Sequence, residues 1–286
     1  MSTALPQLPI RRLTRDDLRH CADLAEDRGW ARTESVWGLL LAAGTGFGID
    51  APEGTGLAGC CVLTPYDPGF SAVGKLLVAG RYGRQGLGRR LMGHIMAAAG
   101  ETPLMLFATP QGRPIYQKLG FVETGRVERI LGRLDDAADA AATEAVTRRA
   151  TAEDIPAIVR LDAECFGADR THMITRLPAV ADRLWVAEDG GEIIGYAAGW
   201  PTSEGYGIGP LTARDTRTAR ALLVTVARSV DGPVRTNIHD EHKELLDWAV
   251  DHGMAPVTTN VAMTYGVGEL PGDRRRAFAP LSLATG

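Results

Sequence analysis

Residues 75–92 read KLLVAGRYGRQGLGRRLM. An apolar strand over 75–78 runs into a turn rich in glycine and arginine. The turn runs into a helix over 88–99 with Leu91, Ile95 and Met96 on its apolar face. Gly83, Gly86 and Gly88 let the backbone come close to a ligand. The free N–H groups and positive dipole end of the helix make an anion site. Arg81, Arg84, Arg89 and Arg90 raise the local positive potential. A pyrophosphate suits this loop best. The spacing is G-x-x-G-x-G, not the dinucleotide fingerprint G-x-G-x-x-G. No acidic residue ends a second strand about 20 positions on, which argues against dinucleotide binding.

Outward from the loop, the chain repeats itself. RRLTRDDL at 11–18 answers RRATAEDI at 148–155, each with a Thr followed three residues later by Asp (Thr14 and Asp17, Thr151 and Asp154). Each pair reads as a capping box that opens a helix. YQKLGF at 116–121 and WAVDHGM at 248–254 both read as a helix closed by glycine and followed by a strand. Between these ends the halves share one order. Strands at 56–63 and 192–199 come first, then strands at 75–78 and 206–211, then helices at 88–99 and 216–229. Short strands at 104–107 and 234–238 lead into the closing helix. A mixed α/β unit is therefore expected twice, over 1–134 and 146–286, joined by the Ala- and Asp-rich stretch 135–145. The tail after Leu270, with its Arg274–Arg276 run, reads as surface or packing material.

The 286 residues are 45% hydrophobic and 23% charged, as in a soluble globular protein, with a formal net charge of −4. That balance disfavours a general grip on nucleic acid. No apolar run is long enough for a membrane helix, and the N-terminus MSTALPQLPIRR lacks the pattern of a signal peptide. The four cysteines show no CxxC spacing, so a disulfide framework or cysteine zinc site is not expected and a cytoplasmic location fits. His239 and His242 lack a third ligand of clear spacing, so no metal is expected.

Strand, glycine loop, helix, strand, and then a helix with Y-x-x-x-G-F: in this order the first half resembles the GCN5-related N-acetyltransferases (GNAT). The residues that carry it are VAGRYGRQGLGRRLM at 78–92 and ATPQGRPIYQKLGF at 108–121. The resemblance is to the tandem kind, an intact unit followed by a diverged one. It covers the first half well and the second loosely. One departure is Gly83, where the family usually has Gln or Arg.

The resemblance implies an α/β fold of two tandem acyl-CoA N-acyltransferase units and acetyl-CoA as cosubstrate. The pantetheine arm would pair with Leu76, Leu77 and Val78, with a backbone N–H near Leu77 or Val78 for the oxyanion. The pyrophosphate would lie on Gly83, Arg84, Gln85, Gly86, Leu87, Gly88 and Arg89. Tyr116, four residues before Gly120, matches the family's general acid. For the base, Glu34, Asp67 and His239 are candidates, Glu34 being flanked by Trp30 and Trp37 where the family places a substrate-binding helix. Aligned onto the second half, the three loop glycines become Arg214, Arg217 and Ala219, and the tyrosine becomes Ala249. That half is expected to support the fold and to line the acceptor pocket with Trp200, Glu204, Tyr206 and His239. The expected partner is a small-molecule amine, with no nucleic acid and no membrane, for a monomer or homodimer. A non-catalytic acyl-CoA-binding sensor is the alternative.

Overall fold

The structure, a computed structural model, describes residues 8–67, 69–135 and 145–286. Most of the expected linker and the start of the N-terminus therefore lie outside the described residues. The first half runs β1 (Arg11–Arg12), α1 (Leu18–Asp27), α2 (Glu34–Ala43), β2 (Thr45–Asp50), β3 (Leu57–Tyr66), β4 (Phe70–Val78), α3 (Leu87–Ala99), β5 (Leu104–Ala108), α4 (Arg113–Lys118) and β6 (Val122–Gly132). The second half repeats the order, with two short helices in place of α2. It runs β7 (Val146–Arg149), α5 (Ile155–Phe166), α6 (Thr171–Ile174), α7 (Leu177–Val180), β8 (Arg183–Asp189), β9 (Glu192–Thr202), β10 (Gly205–Ala213), α8 (Thr216–Arg228), β11 (Val234–His239), α9 (Lys243–Asp251) and β12 (Met254–Tyr265). A last strand, β13 (Ala277–Ala279), has no counterpart among the described residues of the first half.

Both capping boxes form, each closing a single 3-10 turn that flows into α1 or α5. The repeat extends to side chains. Arg11 bridges Asp17 and Asp50, each at 2.7 Å, and Arg148 bridges Asp154 at 2.7 Å and Glu188 at 2.8 Å. The guanidinium of Arg11 holds the Asp17 carboxyl below the usual carboxylate range, and Arg148 does the same to Asp154. Their folded pKa values lie below the unfolded ones. The stability they confer is therefore complete above about pH 4 and is lost as pH falls through the folded values. Thermal unfolding between pH 6 and 2 should show a steeper acid loss in the native chain than in Arg11→Ala/Arg148→Ala. Parallel curves would remove these pairs from the acid response.

All strands join one mixed sheet in the order β1-β2-β3-β4-β5-β12-β6-β11-β10-β9-β8-β7, with β13 on β10. The two units are not self-contained. The last strand of the second half, β12, lies between β5 and β6 of the first, from Thr264 opposite Val122 to Met254 opposite Gly132. In turn β6 pairs with β11, from His239 opposite Val127 to Val234 opposite Gly132. The division at 134 and 146 thus marks the sequence repeat, while the sheet crosses it by exchanging closing strands. A core between the halves follows: Tyr66, Phe70, Met105 and Phe107 pack with Ile158, Met173, Tyr196 and Leu281.

Of the two readings of the tail, packing holds from Phe278 on, while Arg275 stays at the surface. Phe278 and Leu281 are buried, the Tyr66 hydroxyl donates to the Thr285 carbonyl at 2.6 Å, and Arg170 donates to the Gly286 main-chain oxygen at 2.8 Å.

Candidate functional site

The site begins where β4 leaves β5. They pair only at Ser71 with Leu104 and Ala72 with Met105. Beyond that, a bulge in β4 breaks its register with β3 between Cys60 and Val62, and Lys75 takes a left-handed backbone, φ 54°. An extra residue in one strand bends it and increases its twist. The carbonyls around the bulge find partners in the buried thiols: Cys60 Sγ donates to Lys75 O and Cys61 Sγ to Gly74 O, both at 3.5 Å. Ala79 N–H donates to Ala58 of the neighbouring β3 at 2.9 Å. N–H direction alternates along a strand, so that of Val78 points to the open edge and that of Leu77 back to β3.

The loop follows directly. Gly80–Tyr82 form one 3-10 turn, Arg84 and Gly86 have left-handed φ of 60° and 82°, and α3 starts at Leu87. Gly83 N–H donates to Gly80 and Arg90 N–H to Gly86. Among the described residues the N–H groups of Arg84, Gln85, Gly86, Leu87, Gly88 and Arg89 donate to nothing within the protein. A Cβ on Gly86 would meet no atom within 4 Å, so the space in front of this row is open. Such a row, at the positive end of a helix of 13 residues, can hold phosphate oxygens. Arg90 turns elsewhere and donates to the Leu8 carbonyl.

Tyr116 on α4 is buried against the same core as Leu77 and Leu87, its ring 5.8 Å from Phe121. Burial first, and then the Cys61 sulfur, push its phenol above the ordinary tyrosine value. It stays protonated across the physiological range. Trp30 and Trp37 come together around Lys75, whose Nζ lies 5.1 and 5.4 Å from the two ring centroids. Burial pulls this ammonium down to about 8.

Other expected residues fall elsewhere. Glu34 is exposed at the start of α2, its carboxylate paired with Arg32 at 3.0 Å. Asp67 stands at the far end of β3, bridged to Asp169 of the second half. Trp200 packs with the core between the halves, whereas Tyr206 packs in the core shared with α8 and α9. Tyr206 is therefore no part of a pocket lined by Trp200. His239 is buried beside Phe107, ring centroids 5.9 Å apart, and lines a cavity of about 640 Å³ with Asp240, Glu269 and Arg274. Burial and then Arg274 lower its pKa well below the ordinary value. His242 turns away to the Ala277 carbonyl at 3.0 Å.

The second half has the same two features, both occupied by its own chain. β10 pairs with β11 only over Tyr206–Ile208, and past that point β13 takes the vacated edge, with Ala279 opposite Leu211 and Ala277 opposite Thr212. At the start of α8, the Asp215 carboxylate accepts from Thr218 N–H at 2.8 Å. An acidic cap stands where the first half leaves bare N–H groups. Ala249, at the tyrosine position, is fully buried.

Two family models, each described as an acetyltransferase (GNAT) domain, match residues 50–123 and 158–279, together more than half of the chain. The uncharacterized N-acetyltransferase YitH of Bacillus subtilis is 27% identical over 224 residues, 75% of this chain and 76% of that protein. Among solved structures, a Pyrococcus horikoshii protein described as an acetyltransferase superposes with a TM-score of 0.81 at 19% identity, covering 99% of this chain and 98% of that one. A tandem GNAT protein from the clavulanic acid biosynthesis pathway gives a TM-score of 0.65 at 17% identity over 91% of this chain and 98% of its own. At such identities these structures speak for the fold. No described helix is long and apolar enough to cross a membrane. The family matches in both halves, with the doubled α/β architecture, place this chain in the GCN5-related N-acetyltransferase superfamily, in its tandem form.

Proposed function

We propose that the first half binds acetyl-CoA and transfers its acetyl group to the primary amine of a small molecule, and that the second half binds no CoA. The observation that carries this reading is the contrast between the two helix starts. The row of N–H groups over 84–89, unpaired among the described residues, can donate to a pyrophosphate, whereas Asp215 already caps the start of α8 through Thr218 N–H and would repel one. The open edge of β4 supports a pantetheine arm along Leu76 and Val78, and β13 fills the matching edge of β10.

Acetyl-CoA supplies an activated carbonyl: the amine nitrogen forms the new C–N bond, the C–S bond breaks, the nitrogen loses one proton and the thiolate gains one. Val78 N–H, on the open edge, is the donor for negative charge that develops on the carbonyl oxygen. Tyr116 is the donor to the departing sulfur. The amine enters neutral, and Glu34, held at the surface by Arg32, takes no part.

Calorimetric titration with acetyl-CoA should give one site per chain, and acetyl transfer to some member of an amine panel should follow. Binding without turnover of any amine would favour the sensor alternative. Two sites per chain would overturn the assignment of the second half.

A further inference from the structure

We infer that the amine accepted between the two halves carries an anionic group, a carboxylate or a phosphate, which Lys75, Arg129 and Arg235 bind. This rests on the acetyl-transfer reading above and names its substrate class. Arg129 on β6 lies opposite Asn237 on β11 and donates to its Oδ1 at 3.2 Å. Arg235 is two residues before Asn237, so alternation puts both arginines on one face. Its neighbour across the parallel pairing is Gly207. A Cβ on Gly207 would lie 3.1 Å from Thr202 and 3.4 Å from Trp200. Arg235 therefore shares this face with Trp200, and its Nε donates to Thr202 Oγ1 at 3.3 Å. Lys75 of the first half, set against the Trp30 and Trp37 rings, is near enough to both arginines that each guanidinium lowers the pKa of its ammonium.

The charges here do not balance. Among the described residues no carboxylate forms an ion pair with Lys75 or Arg129, and Arg235 has only Glu204, 3.7 Å from its Nε and 48% exposed. Cations withdrawn from water without a counter-charge are unfavourable. The unsatisfied groups nearby are also donors. The Trp37 indole N–H, beside Lys75, is buried without a partner. So is the amide Nδ2 of Asn260, which stands on the Arg129 face of β12, two residues from the Thr258 that pairs with Arg129. Two guanidiniums, an ammonium and two vacant donors call for a ligand rich in acceptors and negative charge. A polyamine adds further positive charge, and a neutral amino sugar offers acceptors but no negative charge.

The test uses two matched pairs, L-lysine against cadaverine and glucosamine 6-phosphate against glucosamine. The full chain and Arg129→Gln/Arg235→Gln are compared by acetyl-CoA-dependent turnover, and by thermal shift without acetyl-CoA. The expected result is a preference of about 100-fold in kcat/KM for the anionic member of at least one pair. The pair that shows it tells carboxylate from phosphate. The same anionic probe should raise the melting temperature of the native chain but not of the double variant, whose acetyl-CoA stoichiometry should be unchanged. Equal use of both members, a preference that survives in the variant, or no shift with either anionic probe would overturn the inference. Failure to bind acetyl-CoA would instead overturn the acetyl-transfer reading, since the thermal shift reads the anion site separately.

Discussion

Gly86→Glu should abolish acetyl-CoA binding in calorimetry, a loss of 100-fold or more by the order of magnitude of an unpaired charge. Two effects act together. Gly86 has φ 82°, a left-handed conformation unfavourable for a residue with a Cβ by ~1 kcal/mol. The added carboxylate would also enter the open space before the N–H row of residues 84–89, where it would compete for those donors and repel phosphate. Gly86→Ala separates the two. No atom lies within 4 Å of its Cβ, so it carries the backbone strain alone and should weaken binding by about fivefold to tenfold. If Gly86→Glu binds acetyl-CoA as the native chain does, the loop is not the phosphate site and the proposed function fails with it.

Tyr116→Phe should lower kcat by about 100-fold while leaving acetyl-CoA affinity within about twofold. The substitution removes only a hydroxyl. The ring keeps its contact with Phe121 in the core of the first half, so the melting temperature should hardly move. The effect belongs at the modest end for an acid. A phenol raised by burial above its ordinary pKa near 10 gives its proton uphill to a thiolate whose acid has a pKa near 8.5. The direction of the shift adds a check. The donor form persists as pH rises, so the native rate should show no falling limb from this group below about pH 10. An unchanged kcat in Tyr116→Phe would remove the residue from the mechanism.

What could be read in the sequence was whatever residue identity alone determines. Close approach of the backbone to a ligand favours glycine, so Gly86 stands out in the sequence, and Thr and Asp three apart announce a cap wherever they fall. The doubled order of elements could be read for the same reason. What could not be read depends on pairing between distant segments. The exchange of β6 and β12 leaves no trace in either strand's pattern, because each strand looks the same beside any partner. Tyr206 and Trp200 look alike as pocket residues in the sequence but belong to different cores; a one-residue change of parity decides the face of a strand. Lys75 read as the start of a regular strand, but it is the bulge that turns β4 from β5. Arg129 and Arg235 are ordinary strand residues until the pairing of β6 with β11 brings them together across the repeat. The three residues of β13 are too few to carry a period, and only the vacated edge of β10 gives them a role.

The exchanged strands also bear on what such a chain can inherit and lose. A gene that doubles normally leaves a spare copy, free to decay and then to be deleted. Here deletion of the second copy would take β12 out from between β5 and β6, and with it the closure of the sheet that carries the glycine loop. The second copy can cap its own helix start and cover its own sheet edge with β13, but it cannot leave. Its descendants remain bound to the unit they complete, and their remaining freedom is to vary the face they turn toward it.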